Sequence, residues 1–136
     1  MTSATLRLPP APERVVQTHL FQWLTYQRYQ GHKLSDFAFA IPNGTKLAGT
    51  QKQRAMQASA LLAQGMRPGV PDFAIAIPVN PFHGLFIELK RDDKATVQSN
   101  QLEWQAKLRL MGYKSEIACG FDDAKAAVCK YFGITP

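Results

Sequence analysis

The sequence has little cysteine and builds no framework from it. Cys119 and Cys129 are the two present, with no C-x-x-C spacing, which excludes a disulfide scaffold and a cysteine-based zinc site. The three histidines, His19, His32 and His83, are scattered without an H-x-H or H-E-x-x-H pattern, so no histidine metal centre is signalled. No apolar run approaches the length of a membrane span, and Thr2–Pro12 lacks the hydrophobic region of a signal peptide. The expectation is a reducing, cytoplasmic location with no membrane partner. Internal repeats and low-complexity tracts are also missing. Acidic residues are scarce in the first sixty positions, where Glu13 and Asp36 stand against seven basic residues.

What is present fits one folded unit. A chain of 136 residues, 46% apolar and 19% charged, is long enough for one ordinary core without metal or disulfide staples. Residues 1–11, rich in Pro, Ala, Ser and Thr, read as a flexible lead-in, and 12–136 as the domain. The net charge is +6, and +5 of it lies in residues 1–60. An excess gathered in one half suits a face that meets phosphate, and equally a basic surface kept for solubility.

The spacing predicts a helix from Pro12 to about Gln30, stopped at Gly31, with Val16, Leu20, Trp23 and Leu24 as its apolar stripe. Phe37–Ile41 alternates as a strand, and Pro42-Asn43-Gly44 closes it. Thr50 caps a second helix, Gln51 to Gln64. Phe73–Ile77 and Leu85–Lys90 follow as strands, paired as an antiparallel hairpin because the loop between them is short. A helix from Val97 to Met111, a strand over Tyr113–Ala118 and a helix over Asp122–Phe132 complete the order α-β-α-β-β-α-β-α. Its simplest packing is an α/β fold, a mixed sheet flanked by helices.

The chemistry concentrates in Leu85–Lys90. Leu85-Phe86-Ile87 is continuously apolar, so this strand is expected to be buried on both faces. Strand periodicity then places Glu88 and Lys90 on one face and Leu89 on the other. Asp72 opens the neighbouring strand, so antiparallel pairing brings it beside Glu88 and Lys90. Two carboxylates converging beside one amine repel each other, and a divalent cation with oxygen ligands, Mg²⁺ or Mn²⁺, resolves that repulsion. An ordinary Glu–Lys pair at an exposed strand end is the alternative reading of Glu88 and Lys90.

Ile41-Pro-Asn43, Gly69-Val-Pro-Asp72, Glu88-Leu-Lys-Arg91, Gln101-x-x-Trp104 and Gly112-Tyr113, in this order, resemble the VRR-NUC family of the PD-(D/E)xK nucleases, in its stand-alone phage and bacterial form. The resemblance runs from about Glu13 to Tyr131. It implies a single-domain PD-(D/E)xK restriction-endonuclease-like fold around a central mixed four-stranded sheet. It also implies that Asp72 and Glu88, with the Leu89 carbonyl and Glu13, hold one or two Mg²⁺ or Mn²⁺ ions. Lys90 would position the attacking water or steady the transition state, and Gln101 would lie near the site. By its residues alone, Glu13 is also an ordinary helix N-terminal acid. Gln101 is a polar residue on the stripe Val97, Gln101, Trp104, Leu108, Met111, which a sheet edge would satisfy as well as a polar site.

The basic residues nearest these motifs, Lys46, Lys52 and Arg54, with Asn43, Arg67 and Arg91, are the candidate DNA contacts. Each is also an ordinary surface residue, and Asn43-Gly44 is an ordinary turn pair. Trp23 and Trp104 are expected in the core. The resemblance implies a metal-dependent endonuclease that cuts branched DNA, such as four-way (Holliday) junctions, as a homodimer. A nicking or restriction-type nuclease for linear DNA and a non-catalytic DNA-binding module are the alternatives on the same fold.

Overall fold

In the computed structural model the described residues are 9–42 and 46–136. Pro12 ends the lead-in and sits at the N-cap of helix α1 (Glu13–Leu24). Val16, Leu20 and Leu24 recur every fourth residue and are all buried on one side of it. The helix stops one and a half turns short of the expected Gln30. Residues Arg28–Tyr29 (β1) and His32–Lys33 (β2) instead form a small antiparallel ladder closed by Gln30 and Gly31. Both corner residues have positive φ, 49° and 80°, which is the backbone of a two-residue hairpin turn. Gly31 therefore supplies a turn corner and not a helix stop. The turn leaves the Tyr29 ring 5.1 Å from the Phe132 ring.

After a 3-10 turn over Leu34–Phe37 the main sheet begins with β3 (Ala38–Ala40), shorter than the expected Phe37–Ile41. Helix α2 (Gln51–Ala63) follows, then β4 (Phe73–Ile75) and β5 (Leu85–Lys90). Helix α3 (Ser99–Leu110), β6 (Lys114–Cys119) and helix α4 (Phe121–Phe132) complete the chain. The sheet order is β3-β4-β5-β6. The first three strands are antiparallel, and β5 and β6 are parallel, joined through α3. The expected α/β architecture with a mixed four-stranded sheet is present, with the small β1–β2 hairpin added.

The two faces of β5 divide the molecule. Leu85, Ile87 and Leu89 enter the core with Val16, Leu20 and Leu24 of α1 and Ala124, Val128 and Phe132 of α4. Burying each such side chain contributes about 1.5–3 kcal/mol, so this layer anchors the strand. Phe86, Glu88 and Lys90 face the other way, toward α3.

Helix α2 is built differently. It buries no residue and is organised by polar bonds. Thr50 Oγ1 accepts from the Gln53 amide at 3.2 Å, and Gln53 Oε1 accepts from the Thr50 amide at 2.9 Å. Gln57 clasps Ala48 through both its amide groups, accepting at 3.2 Å and donating at 2.9 Å.

Gly69 seats the start of α3 against the loop before β4. Its φ is 92°, and a Cβ there would stand 2.5 Å from the Asn100 carbonyl oxygen. Gly65 has a φ of 103° but open space around it. Gly65→Ala should therefore cost backbone strain alone, about 1–2 kcal/mol. Gly69→Ala should cost that plus the displacement of α3, about 1–3 kcal/mol more. Urea unfolding of the two variants measures the difference, and equal losses would mean that Asn100 yields freely.

Candidate active site

Antiparallel pairing sets Phe73 opposite Ile87, and one step further it brings Asp72 opposite Glu88. Glu88 and Lys90 are only 7% and 8% exposed, too deep for ionised groups without partners. Each has one. Glu88 Oε1 accepts from Gln101 Nε2 at 2.6 Å and lies 3.6 Å from Lys90 Nζ. Asp72 Oδ2 accepts from the Leu89 amide at 2.6 Å. Gln101 is itself held, because its Oε1 accepts from the Gln98 amide at 3.0 Å, at the mouth of α3. Asp72, Glu88, Lys90 and Gln101 thus meet on one side of the sheet, as the sequence leads one to expect.

The electrostatics are those of a crowded acid pair. Burial, and then the charge of Asp72, push the Glu88 carboxyl up to about 8, against the pull of Lys90. Asp72 is also raised by burial, against the lowering effects of the Leu89 amide, a hydrogen bond with Glu88 and the charge of Lys90. Near neutrality the pair shares a proton carried by Glu88. A shared proton between two carboxylates marks a place where a divalent cation can substitute. Asp72 and Glu88 offer hard oxygen donors of the kind that suit Mg²⁺ or Mn²⁺. Among the described residues no cluster of three or more His, Cys, Asp and Glu side chains gathers at ligating distance.

No family model matches the sequence, and no curated protein matches it. A solved structure described as a VRR_NUC domain protein superposes with a TM-score of 0.78 at 27% identity, covering 93% of each chain. The chain is similar in sequence and fold to a VRR-NUC domain, as its motifs lead one to expect. Its fold is that of a nuclease-type domain. No helix among the described residues is long and apolar enough to cross a membrane.

The remaining candidates stand apart from the buried group. Glu13 is exposed in the first turn of α1. It lies near enough to add slightly to the Glu88 shift, and it lines a recess of about 480 Å³ with Arg91, Asp92 and Lys94. Arg91 is exposed and 3.7 Å from Asp92. Lys46, Lys52 and Arg54 are exposed just before and within the first turn of α2. Arg67 Nη1 donates to the carbonyls of Leu62 and Met66 at 2.8 and 3.1 Å, closing the end of α2. Asn43 lies outside the described residues. Trp23 packs against the core, but Trp104 is half-buried outside it, with Lys107 Nζ 4.8 Å from its ring centroid.

Three parts of the site escaped the sequence. The Leu89 amide that holds Asp72 carries no side-chain signature. The Gln98 amide that holds Gln101 does leave one, the Gln98-x-x-Gln101 spacing of a helix start. Lys94, beside Glu13, is the third omission.

The raised Glu88 pKa has a direct consequence for stability. An unfolded chain releases this proton near the ordinary 4.5, whereas the folded chain keeps it to about 8. The folded state therefore binds more protons across that window, and stability falls as pH rises through it. Thermal melts should show wild type losing stability relative to Glu88→Gln from about pH 4.5 to about pH 8. Added Mg²⁺ or Mn²⁺ should restore wild type at the alkaline end and leave the variant unmoved. Parallel pH curves would contradict the buried, proton-sharing pair.

Proposed function

We propose that this protein is a metal-dependent endonuclease that hydrolyses phosphodiester bonds of branched DNA. The observation that carries the reading is the cross-strand meeting of Asp72 and Glu88 with Lys90 beside them, within a VRR-NUC fold. A structural ion pair needs one acid and one base. Here a second acid is added at a cost in burial, on the side of the sheet that carries the Gln101 clamp.

Asp72 and Glu88 would hold Mg²⁺ or Mn²⁺, helped by the Leu89 carbonyl, with Glu13 in electrostatic range. When bound, the cation supplies Lewis acidity and charge neutralisation at the phosphate. The Leu89 amide fixes the rotamer of Asp72, and Gln101 fixes that of Glu88. Lys90 keeps a positive charge where negative charge grows on the phosphate, and its short reach from Glu88 holds it there. Lys46, Lys52, Arg54 and Arg91 would contact the DNA backbone, which leaves recognition to shape and not to base sequence.

Cleavage of a labelled four-way junction, with flap and linear duplex controls, in Mg²⁺, Mn²⁺ and EDTA tests this reading. Asp72→Ala, Glu88→Gln and Lys90→Ala should each lose at least about 100-fold in cleavage rate while retaining DNA binding. EDTA should abolish cutting. Undiminished cutting in EDTA, or by Asp72→Ala, would sink the proposal. Equal rates on matched linear duplex and junction would favour the linear-DNA nuclease.

A homodimer also has support on the surface. Met56 and Leu62 of α2 and Leu102 and Leu110 of α3, with the adjoining Met111, are exposed, and neither helix buries a residue. Large apolar side chains on two helices of this kind suit a twofold contact. Light scattering should report twice the monomer mass, and Met56→Lys with Leu110→Lys should halve it. A monomer mass for wild type would remove the dimer from the proposal.

A further inference from the structure

A second recess lies on the site face of the sheet. Phe86 precedes Glu88 by two positions on β5 and shares its face. Trp104 follows Gln101 by three positions on α3, so it overlies the strand next to it. With Ile41, Met66, Arg67 and Leu108 they line a cleft of about 600 Å³. That volume is in the range of about 300–1,000 Å³ typical of sites for small flat ligands.

The chemistry of the lining is asymmetric. The walls are apolar and aromatic, and no acidic residue is among them. Positive charge is close by: Arg67 lines the cleft, pinned to the end of α2, and Lys107 lies over the Trp104 ring. A slot with aromatic walls, cations beside it and no carboxylate in its lining complements a nucleobase on its phosphate backbone. A base paired inside a duplex is stacked and cannot enter such a slot. None of Met56, Leu62, Leu102, Leu110 and Met111 lines this cleft, although Leu61 and Leu108 beside them do.

We propose that this cleft takes one unpaired base of the substrate strand, beside the phosphodiester held at Asp72 and Glu88. The proposal rests on the nuclease reading and deepens it. It makes an unstacked nucleotide, and not the branch as a whole, the feature that the chain selects. Trp104 is then a specificity-determining residue, the half-buried indole on which the base stacks.

The test uses the full chain carrying Glu88→Gln, so that bound DNA stays intact, and Trp23→Phe, which leaves Trp104 as the remaining indole of the two. The probes are a flap duplex with an ordinary base at the branch, the same flap with an abasic residue there, and a matched duplex. The base-bearing flap should quench Trp104 fluorescence, and the abasic flap should not. Trp104→Ala should bind the base-bearing flap about 10-fold more weakly, with matched-duplex affinity unchanged. Trp104→Phe, which keeps a ring, should retain most of the affinity and guards against a folding artefact. Equal quenching by both flaps, or equal loss on flap and duplex, would overturn the proposal. So would a change in oligomeric mass in place of a change in flap affinity, because the cleft would then belong to a second copy. Metal-dependent cleavage by wild type is measured alongside. Cleavage without base-dependent quenching rejects the base slot alone, and quenching without cleavage rejects the nuclease reading alone.

Discussion

Everything at this site follows from two carboxylates forced to face each other. Left to themselves, Asp72 and Glu88 would separate into water, because two like charges out of bulk solvent repel and each loses hydration. The backbone denies them that choice. Asp72 is the residue before β4, the Ile41 amide donates to its carbonyl at 2.8 Å, and its carboxylate is clamped by the Leu89 amide. Glu88 sits within β5, whose alternate side chains Leu85, Ile87 and Leu89 are locked into the core. Moving the Glu88 backbone away would displace that strand and expose apolar surface worth several kcal/mol. The core thus holds the acid pair in an arrangement that electrostatics alone would not choose, and the proton on Glu88 is the compromise.

A strand's period of two makes this division of labour possible. One face of β5 supplies stability and the other supplies chemistry, and no residue has to do both. Helix α3 spans the chemical face with a graded set of side chains, Gln101 over Glu88 and, one turn later, Trp104 beside Phe86. The step from polar clamp to aromatic wall occurs within a single helical turn. In the proposed function, the distance from acid pair to base slot is therefore set by three residues of α3, a helix rise of about 4.5 Å.

Much of this was legible in the sequence where local chemistry and burial agree. The bounds of β5 follow from an apolar run ending in Glu-Leu-Lys, which has one economical placement. Those of α2 follow to within a residue from Thr50 as its N-cap. The shortness of the 78–84 loop brings Asp72 to Glu88, a tertiary contact implied by chain length. The differences lie where local spacing is overridden. A glycine after an apolar stripe suggests a helix stop at Gly31, but here the neighbouring Gln30 also takes positive φ and the Tyr29 ring packs on the distant Phe132. Met111 falls on the apolar stripe of α3 yet is 65% exposed, because α3 buries nothing and its periodicity reflects no core. Trp104 lies outside the core for the same reason. Main-chain donors such as the Leu89 amide were invisible because every residue but proline has one.

The weak amphipathicity of α2 and α3 is best understood as a consequence of what lies beneath them. A helix packed tightly over the Glu88 face would seal the acid pair from water and from any substrate, and a fully sealed pair would gain nothing by keeping two acids. The chain instead holds α2 by its own polar bonds, Thr50 with Gln53 and Gln57 with Ala48, and so places a helix near the site without filling it. Arg67 completes the device by tying the last turn of α2 to the loop that leads into Gly69 and Asp72. Support from the core on one side, and a deliberately underpacked polar frame on the other, is what leaves open ground beside a buried charge cluster.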